Sequence, residues 1–112
     1  MTVNELAKSL SLTSLTGELP AREITGVYAG DLLSRAMGKI GEGNLWITIM
    51  TNKNVVAVAE LGDPAAILFA EGAVPMPDAL EAAKETGVPL LSSEKSTYEL
   101  CLAIGRLLTG TP

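Results

Sequence analysis

Three polar segments of this chain carry residue types able to hold a small anion: Thr51, Asn52, Lys53 and Asn54; Glu71, Gly72 and Ala73; and Ser92, Ser93, Glu94, Lys95 and Ser96. Hydroxyls, backbone N–H groups at helix starts and two lysines form the usual donor set for a phosphate or carboxylate. Glu71 and Glu94 oppose that charge, and the same residue types also serve as ordinary caps and turns. Other chemistry is harder to build. The chain has no histidine and a single cysteine, which removes the commonest general base, the commonest metal ligand and any internal disulfide. No metal and no cofactor is called for. Ser92 and Lys95 match a Ser-x-x-Lys spacing, but Ser92 falls at a strand end rather than one helical turn before the lysine. Cys101 sits in an apolar stretch and reads as a small core residue.

The three segments matter only if the fold gathers them. Each follows an apolar run, "NLWITIM" from 44, "AAILF" from 65 and "VPLL" from 88. Such runs, apolar on both faces, suit strands of a parallel sheet covered by helices on each side. Between them lie "NKNVVAVAEL", read as a helix with Gly62 as its left-handed cap, and "MPDALEAAKETG". The second has Pro77 and Asp78 at its start, Lys84 late and Gly87 as its cap. Ser96 with Glu99 forms a capping box opening a helix through Leu108, and Thr2 with Glu5 forms another at the chain start. Residues 31 to 37 read as a short helix with Asp31 as its first-turn acid, and 12 to 16 and 23 to 28 as strands. Alternating strands and helices imply an α/β domain with a mostly parallel sheet and helices on both faces. Loops at the carboxyl ends of parallel strands are where such sheets bind ligands, so the three polar segments should share one edge.

The whole chain sets outer bounds. Its 112 residues, 47% of them hydrophobic, suit one domain. A formal charge of −5 with eight scattered Lys and Arg argues against nucleic acid as a partner. No apolar run reaches the roughly 18 residues that cross a bilayer, and no signal-peptide pattern opens the chain, so the expectation is a cytoplasmic protein without a membrane partner.

Over nearly its whole length the chain resembles the DRTGG domain, through "REITGVYAGDLLSRA", "GEGNLWITIMTNKNVVAVA", "AAILFAEGAVPMPDALEAAKETGVPLL" and "SSEKSTYEL". That resemblance implies a fold like the N-terminal domain of HPr kinase/phosphorylase and a regulatory or assembly role without catalysis. The eponymous Asp-Arg falls on Asn52-Lys53 and Thr-Gly-Gly on Ala70-Glu71-Gly72, so only Gly72 is kept. Two functions follow as expectations. One is a self-associating module that binds a small anionic effector at the loop edge through Thr51, Asn52, Lys53, Glu71, Gly72, Ser92, Ser93 and Ser96. The other is an accessory protein that docks on a larger enzyme, a hydrogenase-related one by the company such domains keep, and has no ligand of its own.

For self-association the final helix offers a surface. Leu100, Ile104, Leu107 and Leu108 share the side expected to face the sheet, whereas Tyr98, Leu102 and Gly105 fall about half a turn away. The expectation is a two-fold homodimer centred on those three, unless the N-terminal segment covers them within one chain.

Overall fold

The computed structural model describes residues 1–110. In chain order the elements are α1 (Val3–Leu10), β1 (Thr13–Ser14), β2 (Gly26–Ala29), α2 (Leu33–Lys39), β3 (Asn44–Thr48), α3 (Asn54–Gly62), β4 (Ala66–Phe69), α4 (Pro77–Thr86), β5 (Leu90–Ser92) and α5 (Thr97–Thr109). The strands form one five-stranded sheet in the order β1-β5-β4-β3-β2. From β2 to β5 every pairing is parallel, and only β1 runs antiparallel, Thr13 registering with Ser92 and Ser14 with Leu91.

The apolar runs explain the layers. Alternate residues of β3, β4 and β5 feed two separate cores: Leu45, Ile47, Ala66, Leu68 and Leu91 on one face, Trp46, Ile67, Phe69 and Leu90 on the other. α1 and α5 cover the first face through Val3, Leu6, Leu100 and Ile104. α2, α3 and α4, the crossovers between successive parallel strands, cover the second through Ala36, Val55, Val56, Ala59, Ala79 and Ala83. Small residues dominate that second helical layer, which lets three helices lie close to the large Trp46 and Phe69.

Local signals decide most helix ends. Both capping boxes form, Thr2 with Glu5 and Ser96 with Glu99, each satisfying two backbone donors. Pro77 opens α4, and Gly87 closes it in the left-handed conformation at φ 81°. Two ends differ from the sequence reading. α2 starts at Leu33, leaving Asp31 outside the helix, where its carboxylate is used by another strand. α3 runs through Gly62, and the left-handed cap is Asp63 at φ 53°.

Gly62 has a different reason to be glycine. A Cβ there would lie 2.8 Å from the Ile40 carbonyl oxygen and 3.0 Å from its Cγ2, so the missing side chain allows α3 to approach the end of α2. Beside it, Arg22 grips the C-terminus of α3, donating to both Asp63 carboxylate oxygens at 2.9 and 3.1 Å and to the Asp63 carbonyl at 2.9 Å. These hydrogen bonds hold the Asp63 carboxyl below its ordinary pKa and raise that of Arg22. Helix propensity alone makes Gly62→Ala a gain of about 1 kcal/mol. The packing opposes that gain: overpacking against backbone costs about 1–3 kcal/mol, so the two together predict a net loss of up to about 2 kcal/mol in urea denaturation. A stabilised variant would show that the close approach does not constrain the fold.

Candidate functional site

The carboxyl ends of β2 to β5 share one edge, and hydrogen bonds stitch the loops that leave it. After β4, Ala70 to Ala73 form a tight turn in which the Ala73 amide donates to the Ala70 carbonyl at 3.0 Å. Its two central residues, Glu71 at φ 58° and Gly72 at φ 70°, are both left-handed. That is the pattern of a primed turn, which strongly favours glycine or asparagine at its centre. The turn is then tied to the β5–α5 loop by backbone alone: Glu71 N–H donates to the Lys95 carbonyl at 2.8 Å and Gly72 N–H to the Ser93 carbonyl at 2.9 Å. The Glu71 carboxylate reaches forward and accepts from the Thr97 hydroxyl at 3.3 Å, at the first residue of α5.

Between this interlock and the end of α1 lies a cleft of about 320 Å³. Leu10, Ser11 and Thr13 form one wall, and Gly72, Ala73, Val74, Ser92, Ser93, Glu94 and Lys95 the other. Ser92 is set by β5, in register with Phe69 of β4 and Thr13 of β1. Ser93 Oγ accepts from the Lys95 amide at 3.1 Å, and its own proton remains to be given. Among the described residues, Lys95 makes no ion pair. A Cβ at Gly72 would also meet the Glu94 carboxylate at 2.5 Å, a contact that the exposed glutamate can relieve by moving. The Glu94 carboxylate thus lies over Gly72 in the cleft wall.

Of the residues expected at the edge, the structure joins Gly72, Ser92 and Ser93 in the cleft lining, with Lys95 added. Glu71 does not line the cleft; its backbone N–H ties the turn to Lys95 and its side chain turns to Thr97. Ser96 caps α5, its Oγ accepting from the Glu99 amide at 3.1 Å. Thr51, Asn52 and Lys53 do not line the cleft. Asn52 and Lys53 serve the start of α3, Asn52 Oδ1 accepting from the Asn54 amide at 2.9 Å and Lys53 preceding the first helical turn, while the Thr51 carbonyl accepts from the Met76 amide just before α4.

Asp31, expected as the first-turn acid of a helix, has a different role. Its Oδ1 accepts from the Thr48 hydroxyl and the Ile49 amide, both at 2.8 Å, across 17 and 18 residues of chain. Thr48 is 1% exposed and is the one buried polar side chain among the described residues, so its hydroxyl needs this acceptor. The signal was present, since a lone threonine in an apolar strand must find a partner, but nothing in the sequence says which.

Burial raises the pKa of the Cys101 thiol, which lowers its thiolate fraction and its nucleophilicity. Among the described residues, no three His, Cys, Asp or Glu gather as a metal site.

No protein-family model matches the sequence, and no curated protein matches it. The fold does have a solved likeness: the CBS and DRTGG domains of the regulatory region of Clostridium perfringens pyrophosphatase, complexed with an activator, diadenosine tetraphosphate. The likeness has a TM-score of 0.66 at 14% identity and covers 88% of this chain. It spans only 43% of that chain. The chain has a DRTGG-like α/β fold. Among the described residues no helix is long and apolar enough to cross a membrane.

The turn generates a paired prediction. A non-glycine residue held left-handed costs about 1–2 kcal/mol, part of which glycine returns to the unfolded chain as entropy. Glu71→Gly should therefore stabilise by about 0.5–1 kcal/mol. Gly72→Ala should destabilise by about 1 kcal/mol, because alanine is strained at this left-handed position. Asp31→Ala, which strands the Thr48 hydroxyl, should cost about 1–3 kcal/mol. Urea denaturation of the three variants checks all of them, and a destabilised Glu71→Gly would mean that its carboxylate contact outweighs the backbone strain.

Proposed function

We propose that this chain is a regulatory or assembly module of the DRTGG kind, without a catalytic role of its own, that takes a small anionic effector at the carboxyl edge of its sheet and pairs with a second copy. The observation that carries the effector reading is the cleft beside Lys95. It is concave, it lies where parallel sheets place ligands, and its lining joins a free ammonium, two serine hydroxyls and a glycine backbone. The related fold lends support, since that pyrophosphatase region is bound by a nucleotide activator. At about 320 Å³ the cleft stands at the low end of small-molecule sites. It suits a phosphate group or a small carboxylate better than a whole dinucleotide. Thr51, Asn52, Lys53 and Ser96 then act behind the site, by shaping the loops and helix starts that surround it.

Self-association rests on α5. Tyr98 is 74% and Leu102 39% exposed, nothing stands within 4 Å of where a Gly105 Cβ would lie, and α1 leaves this strip uncovered. Leu107, expected on the side facing the sheet, is instead exposed at 36%, which widens the apolar surface beyond the three expected residues. A two-fold contact between such strips would explain why a helix interior tolerates Gly105, at a cost of about 1 kcal/mol relative to alanine.

The effector is tested by thermal shift and calorimetry with orthophosphate, ATP and diadenosine tetraphosphate, since a ligand selective for the folded state must raise the melting point. The expected result is saturable binding, weakened about tenfold by Lys95→Ala and strengthened by Glu94→Gln, with Lys8→Ala as the neutral control. No binding near millimolar concentrations, or indifference to Lys95, removes the effector reading. Light scattering on wild type and Leu102→Glu tests the dimer, for which a monomeric wild type or a folded mutant that stays dimeric is the contrary outcome.

A further inference from the structure

The charged lining of the cleft consists of one acid and one base, Glu94 and Lys95, consecutive in the β5–α5 loop. Among the described residues neither side chain makes an ion pair or a hydrogen bond. Neighbouring carboxylates are engaged: Glu71 accepts from the Thr97 hydroxyl at 3.3 Å and Glu99 from the Ser96 amide at 3.2 Å. The amino edge of the sheet gives the contrast. A cavity of about 370 Å³ before β4 and β5 also has an acid and a base in its wall, but Asp63 and Arg22 close on each other at 2.9 and 3.1 Å.

Backbone sets where the two free charges stand. Gly72 N–H donates to the Ser93 carbonyl and Glu71 N–H to the Lys95 carbonyl, so the turn after β4 holds residues 93 to 95 at both ends. The Glu94 carboxylate lies over Gly72, where no side chain stands in its way.

The rest of the lining supplies donors and an apolar surface. Ser92 and Ser93 are half-buried, and among the described residues neither hydroxyl proton has an acceptor. Val74 is 74% exposed, and Leu10 and Ala73 are half-buried in the same lining.

Electrostatics chooses between the anions that fit. With one acid and one base in the wall, a dianion such as phosphate gains at Lys95 and loses at Glu94. A carboxylate that carries its own ammonium gains at both.

We propose that the effector is a free α-amino acid with an apolar side chain, taken as the zwitterion. This rests on the reading of the cleft as an effector site and narrows it, the anionic group being the α-carboxylate. The carboxylate meets Lys95 and the serine hydroxyls, the ammonium meets Glu94, and the side chain covers Val74 and Leu10. Each polar contact uses a group that the folded chain leaves without a partner.

Isothermal titration calorimetry on the full chain tests this, with leucine as the probe. Isocaproate lacks only its ammonium, isoamylamine only its carboxylate, and glycine its side chain. The expected result is saturable binding of leucine, weaker by about tenfold or more for each of the three. Glu94→Gln should weaken leucine by about tenfold while leaving isocaproate no weaker, a split that a merely structural glutamate would not produce. Folding of the variant is checked by its unfolding transition, and the comparison of probes on the wild type stands whether or not it folds. Isocaproate binding as tightly as leucine, or leucine binding indifferent to a folded Glu94→Gln, overturns the inference. Orthophosphate or isocaproate binding through Lys95 without leucine leaves the effector site standing and removes the amino acid. Silence of leucine, isocaproate and orthophosphate alike removes both.

Discussion

The structure depends on one constraint, the complete burial of the central strands. All four residues of β4 are 0% exposed, as are Leu45, Trp46 and Ile47 of β3. A sheet closed on both faces offers no side chain to a ligand along its length, so any chemistry must gather where the strands end. Parallel pairing sends every carboxyl end the same way. The three crossover loops then meet on one edge because burial of the strands leaves them no other arrangement.

At that edge the loops hold one another chiefly by backbone. Glu71 and Gly72 donate to the carbonyls of Lys95 and Ser93, and Met76 donates to Thr51, so the β4–α4 connection is tied to the loops on both sides. The same turn sets the entry of α5, where Thr97 reaches Glu71. The cleft and the exposed strip of α5 thus share a support, although they present different chemistry. The resemblance placed a Thr-Gly-Gly motif on residues 70 to 72, and the geometry supplies its physical basis: both central positions are left-handed. Gly72 suits that backbone, whereas Glu71 holds it under strain and gains a contact with Thr97 in return.

The parts of this arrangement that were legible in the sequence are those set by near neighbours. Both capping boxes, Pro77 at the start of α4 and Gly87 at its end each depend on residues within a turn, and each forms as read. Apolar runs identified the central strands, since burial on two faces leaves no polar alternation. What the sequence left out is carried by distant pairs. Asp31 reads as a helix-start acid until Thr48 is brought beside it, and Gly62 reads as a cap until Ile40 is packed against it. β1 has too few residues to announce its antiparallel pairing with β5. For the edge residues the sequence supplied the neighbourhood and not the grouping, because strand order and loop course decide that Ser92 and Ser93 face Gly72 while Lys53 serves α3.

The central claim is that the cleft beside Lys95 is a ligand site and not merely a gap between loops. Its most direct test is a titration of the uniformly nitrogen-15-labelled chain with orthophosphate and with diadenosine tetraphosphate, followed by amide chemical shifts. The account predicts saturable shifts concentrated at Gly72, Ala73, Ser93, Glu94 and Lys95, with the Asn52 and Lys53 amides moving less. Saturable shifts centred elsewhere, or none with either ligand, would contradict it.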